Sequence, residues 1–118
     1  MITGLHVISY AEDADKARAF FRDVLDWPTV DAHDGWLIFK TPPAELATHP
    51  APSSASGRHD LYLMCDDLAT TMAELTAKGV EFTGGTIEER WGTLASIKVP
   101  GAGEIGLYQP KHPTAIDI

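Results

Sequence analysis

The feature that most constrains this chain is that it is written twice. Sliding it along itself lays His6 on Asp60, Ile8 on Tyr62 and Asp13 on Asp67. A nearly equal slide lays Trp36 on Trp91, and Glu45-Leu46-Ala47 falls against Glu104-Ile105-Gly106 with a few residues of slack. A strand that runs into a helix through a pair of acids occurs near the N-terminus, through Glu12-Asp13, and again after the middle, through Asp66-Asp67. At 118 residues, the doubled chain has room for one core shared by two half-size modules.

Each copy yields the same order of elements. Residues 2–10 alternate in the manner of a half-buried strand, with Leu5, Val7 and Ser9 on one face and His6, Ile8 and Tyr10 on the other. Ala14, Ala17, Phe20, Phe21, Val24 and Leu25 recur at helical spacing behind a capping Asp13, with Lys16, Arg18 and Arg22 outside. Trp27-Pro28 ends that helix. Strands are expected over 29–33 and 36–40, joined at Asp34-Gly35, and a short fourth strand over 44–49 follows the break at Pro42-Pro43.

Residues 50–57 form a linker of proline, serine and alanine closed by one glycine. The second copy opens with a strand over 58–65. A helix carrying Leu68, Met72 and Leu75 follows and stops at Gly79. Extended pieces at 80–82, 86–90, 94–99 and 104–109 complete it, with a turn at 83–85. The fold class is therefore α+β: two tandem β-α-β-β-β modules, about 1–50 and 58–110 of one 118-residue domain, whose strands form a curved mixed sheet around a cup-shaped cavity with the helices on the outer face.

Strand parity assigns the walls of that cup. Leu61, Leu63 and Cys65, like Leu5 and Val7, belong to the helix-facing side, as do Leu46, Ile105 and Leu107. The open side receives His6, Glu45 and Asp60, with Tyr62, Met64 and Tyr108 and the two repeat-related tryptophans, Trp36 and Trp91. Convergent polar groups among aromatics are the usual signature of a small-molecule site. His33, His49 and His112 fall to the surface, and Cys65 to packing.

Composition narrows the partners. A net charge of −8 with scattered basic residues argues against nucleic acid, whose backbone needs clustered Lys and Arg. No apolar run is long enough for a membrane helix, and Met1 does not open a secretory signal. One cysteine leaves no intrachain disulfide, which points to the cytoplasm. A half-length module leaves its open sheet face uncovered, so a homodimer or a tightly paired monomer is expected.

On Gly4-Leu5-His6-Val7, Asp66-Asp67-Leu68, Lys78-Gly79-Val80-Glu81-Phe82 and Gly106-Leu107-Tyr108-Gln109-Pro110, the chain resembles the vicinal-oxygen-chelate superfamily. That superfamily includes glyoxalase I, bleomycin-resistance proteins and extradiol dioxygenases. The resemblance implies metal ligands on the first and last strands of each copy. His6 and Glu45 match two of these positions, Asp60 stands where histidine is customary, and Gly106 replaces the usual fourth ligand. It thus implies either no cofactor or a divalent metal (Mn, Fe, Ni, Zn or Mg) on His6, Glu45 and Asp60.

Two functions follow from the resemblance. One is a small-molecule-binding protein with a degenerate or empty metal site, taking an apolar or cationic compound against Tyr62, Tyr108, Trp36, Trp91 and Met64. The alternative is a divalent-metal-dependent lyase or isomerase, or an extradiol-type dioxygenase, acting on a substrate with two adjacent oxygens.

Overall fold

A computed structural model describes all 118 residues. Its framework is the second copy. Strand β3 (Tyr62–Met64) leads into helix α2 (Leu68–Ala77), and β4 (Phe82–Glu89), β5 (Gly92–Lys98) and β6 (Glu104–Pro110) follow. These strands form one mixed sheet in the order β3-β6-β5-β4. The first and last strands of the copy run parallel, with Tyr62 opposite Gly106 and Met64 opposite Tyr108. The other pairings are antiparallel. The expected turn at 83–85 is instead an irregularity within β4, where the register shifts between Thr83 and Ile87.

Helix α2 is fixed at its start by two acceptors. The Asp67 carboxylate accepts from Thr70 N at 2.9 Å, and Gln109 Oε1 on β6 accepts from Leu68 N at 2.8 Å. Free N–H groups of the first turn are thereby satisfied, one of them by the sheet the helix packs on. Leu68 and Leu75 face Ile97, Ile105 and Leu107 in the core. The strand parity read from the sequence holds for Leu63 and Cys65, which pack on that core, and for Tyr62, which is turned away from it. Leu61, expected on the helix side of a strand over 58–65, lies before the observed β3 and is 44% exposed.

The first copy is built more lightly. Helix α1 (Ala14–Ala19) is capped by Asp13, whose carboxylate accepts from Lys16 N, and widens into a π-type turn over Phe20–Val24. Strands β1 (Thr29–Asp31) and β2 (Leu37–Phe39) pair antiparallel as a separate two-stranded sheet. Their turn carries positive φ at Asp34 (42°) and Gly35 (88°), the twist a tight hairpin requires. The Asp31 carboxylate accepts from Gly35 N and steadies it.

Two expected strands of this copy are not paired. Residues 2–10 and 44–49 belong to neither sheet. Their alternation is real, but a strand exists only through a ladder partner. Pro42-Pro43 and Pro50 deprive the second segment of N–H donors at both ends. The faces assigned to them consequently lie open: Leu5 is 73%, Val7 61% and Leu46 83% exposed. The expected helix-side burial of these three residues does not occur within one chain. Of the ten residues in the buried core, only Ala17 and Phe20 come from the first copy.

The copies meet where α1 begins. Asp13 N donates to Gly101 O at 3.0 Å, and Gly101 has φ +77°. A Cβ there would press on Asp13, lying 2.9 Å from its Cβ, so the approach depends on glycine. The linker is exposed except for Ala55 and makes a single 3₁₀ turn at Ser53–Ala55.

Candidate functional site

A broad cleft of about 1920 Å³ separates the two copies. A drug-sized ligand occupies a fraction of such a volume. Its most ordered wall grows from the β3–β6 pairing. Because β3 and β6 are parallel and in register, Tyr62 and Tyr108 project from adjacent strands on the face away from α2. Their rings meet edge to face with centroids 5.6 Å apart. Trp91, in the β4–β5 turn, closes the trio at 6.3 Å from Tyr62 and 5.5 Å from Tyr108. Edge-to-face aromatic contacts add stability beyond the area they bury, so the wall is preformed.

Gly106 makes this wall possible. The Tyr62 ring lies directly over it, and a Cβ at position 106 would sit 2.6 Å from Tyr62 Cε1. No side chain fits there while the ring is in place. The position that would carry a fourth metal ligand is covered by an aromatic face.

Glu45 is also committed. It is only 15% exposed; its Oε2 accepts from Ala115 N at 2.8 Å, and its Oε1 accepts from the Tyr108 hydroxyl at 3.4 Å. His112 Nε2 lies 3.4 Å from the same hydroxyl and 3.9 Å from Glu45 Oε1. Burial, and then the neighbouring Glu45 charge, pushes the Tyr108 phenol above its ordinary range. Burial likewise raises the Cys65 thiol, whose Sγ lies 3.6 Å from Tyr108 O, which fits the packing role read from the sequence.

The remaining expected ligands lie apart. Asp60 pairs with Arg58 at 3.3 Å, and His6 lines the cleft on the unpaired segment 2–10. No three His, Cys, Asp or Glu side chains converge to hold a metal ion. With Glu45 bonded through both oxygens, Asp60 paired to a guanidinium and Gly106 under a ring, these residues do not fit a divalent ion in this arrangement.

Met64, half-buried, lines the cleft beside Tyr108. Trp36 lines it too, yet it packs with Arg18 and not with the tyrosines: the guanidinium carbon lies 5.0 Å above its ring. Helical spacing put Arg18 outside α1. Its long side chain instead reaches back over the hairpin, drawn by the indole face.

The tail after β6 is the other site element that periodicity misses. Its signal is present in the sequence, since His-Pro closes the first copy and recurs just after the second. His49 Nδ1 lies 2.6 Å from Pro50 O, and His112 Nδ1 lies 2.8 Å from Pro113 O, the same local contact made twice.

The comparisons with known proteins agree with this architecture. A family model described as Glyoxalase/Bleomycin resistance protein/Dioxygenase superfamily matches residues 5–110. Among solved structures, the chain is similar to TnmS3, an antibiotic binding protein from Streptomyces sp. CB03234, at 25% identity and a TM-score of 0.59, with 91% of this chain and 100% of that chain covered. It is similar in fold to lactoylglutathione lyase from Agrobacterium tumefaciens (21% identity, TM-score 0.59, 85% and 87% covered). A member of the superfamily from Sphaerobacter thermophilus DSM 20745 shares the fold at 20% identity and a TM-score of 0.62, with 92% and 98% covered. No curated protein matches the sequence. By a family match that runs through both copies, the chain belongs to the glyoxalase/bleomycin resistance protein/dioxygenase superfamily.

Proposed function

We propose that this protein binds a small, ring-bearing apolar compound in the cleft between its copies, without a metal and without chemistry on the ligand. The observation that carries the reading is the Tyr62–Trp91–Tyr108 wall seated over Gly106, a stacking surface where the family's metal enzymes need a ligand side chain. The likeness to an antibiotic binding protein supports it. In this reading Tyr62, Tyr108, Trp91 and Met64 contact the ligand, and Glu45 holds the tail that borders it.

The functional unit in this proposal is a homodimer. The chain exposes 9018 Å², against about 6300 Å² for a compact monomer of its mass. The difference, about 2700 Å², is the scale of surface that obligate partners cover. Modules 1–50 and 58–110 act as one domain, with the linker 50–57 as a spacer. No helix is long and apolar enough to cross a membrane, and a cytoplasmic setting suits the lone Cys65.

The test is direct. Protein purified without chelator is analysed for metal, and a panel of aromatic compounds is screened by tryptophan fluorescence and thermal shift. Binding by metal-free protein that Tyr62→Ala weakens far more than it lowers the melting temperature supports the proposal. One tightly held ion per chain, lost in His6→Ala, would reverse it and install the metal-dependent lyase, isomerase or dioxygenase reading.

A further inference from the structure

The charge of the molecule is distributed unevenly around the cleft. The chain carries 17 acids against nine basic residues, yet the only acids lining the cleft are Glu45 and Asp60. Glu45 is engaged by Ala115 N and the Tyr108 hydroxyl, and Asp60, half exposed, shares a solvent-screened pair with Arg58. The cations lining it are Arg18 and Arg58, joined by four of the five histidines: His6, His49, His59 and His112. The acidity of the protein lies outside the cleft.

Arg18 differs from Arg58 in having no carboxylate within the cleft. Its partner is Asp15, one helical turn back, met by Nη1 alone at 3.3 Å; that carboxylate is 94% exposed and lies outside the cleft lining. An ion pair so exposed is weakened by solvent. The Arg18 side chain is itself only 23% exposed, held over the Trp36 ring, with Nε–H and the Nη2 pair unspent. A guanidinium fixed by stacking and offering a planar fork of donors is suited to a planar oxyanion. Trp36, 61% exposed, supplies an indole surface beside it for a flat ligand body.

We infer that Arg18 and Trp36 form the polar end of the cleft and select ligands that join a planar apolar ring system to an ionised oxygen, a carboxylate or a phenolate. The inference rests on the cleft being the ligand site. It also replaces the cationic compound allowed by the overall acidity, because a cation entering here meets the Arg18 guanidinium and finds Glu45 already bonded through both oxygens.

The test uses three probes of one shape: 2-naphthoate, 2-naphthalenemethanol and 2-naphthyltrimethylammonium, titrated into the full chain by fluorescence and calorimetry. The naphthoate is expected to bind about tenfold or more tightly than the alcohol, the ammonium most weakly. Its affinity should fall between low salt and ~0.5 M salt while that of the alcohol holds. Arg18→Gln should bring the naphthoate down to the level of the alcohol, and Arg18→Lys should restore only part of the difference. Equal binding of all three, or a naphthoate affinity indifferent to salt, overturns the inference while leaving the cleft a binding site. Failure of all three probes to bind overturns the site and the inference together. If Arg18→Gln does not fold, the salt dependence and the ranking in the unaltered protein decide the matter.

Discussion

At the scale of single residues, Gly106 and Tyr62 form one unit, and they make a prediction that neither makes alone. Gly106→Ala drives a Cβ into the Tyr62 ring and should cost about 1–3 kcal/mol in urea unfolding. In a Tyr62→Ala background the same change should cost little, because the space has been vacated. A double-mutant cycle measures this, and additive losses would show that the ring is not what forbids a side chain at 106. Tyr108 and Cys65 make a second prediction. Burial raises the pKa of both, so each binds its proton more tightly folded than unfolded. Their contributions are intact below about pH 8.5 and are lost as pH climbs through the ordinary thiol and phenol range, about 8.5 to 10, and on through the raised values. The melting temperature should therefore fall on the alkaline side, and Tyr108→Phe should make that fall shallower.

At the scale of elements, α2 was the most legible part of the chain. Asp67 at its start, Gly79 after its end and the apolar spacing of Leu68 and Leu75 agree with one another, and the structure places the helix over Leu68–Ala77. Removing the cap by Asp67→Ala should lower the melting temperature by roughly 4–8 °C. The Thr70 N–H holds the Asp67 carboxyl below its usual range. That contribution is present above about pH 4 and is lost as pH falls through the lowered value, so the variant's acid limb should be shallower.

Residues 2–10 show where sequence reading stops. Alternation fixes which side chains share a face but not which strand supplies the ladder, and within one chain none does. The same limit applied to the site. Parity put Tyr62 and Tyr108 on one face of the sheet, where they stand, because both lie on paired strands. It could not foresee Arg18 reaching back to Trp36 or the tail capping Glu45, since those contacts depend on long side chains and on segments outside the periodic elements.

At the scale of the whole molecule, a radius of gyration of 15.2 Å exceeds the roughly 13.5 Å of a compact domain this long. Light scattering at micromolar concentration should return the mass of two chains, with a melting temperature that rises with concentration. Leu5→Asp or Val7→Asp should shift the population toward monomer without unfolding the second copy. A monomer at all concentrations would mean that the exposed segment folds back on its own chain. Brief proteolysis within 50–57 should leave the halves associated, since Asp13 N and Gly101 O still join them and α1 still contributes Ala17 and Phe20 to the core.

The lopsided core also bears on how such a chain can change over generations. With eight of its ten buried residues in one repeat, the second copy shoulders the need to stay folded. Most substitutions between Met1 and the linker touch few of those contacts, so selection against instability reads them faintly. Stability therefore constrains the second copy more strictly and leaves the first with more freedom to drift. The drifting copy is the one that bears Arg18 and Trp36. New ligand preferences could then arise in a lineage by trial in the first repeat, generation after generation, while the second keeps each intermediate viable.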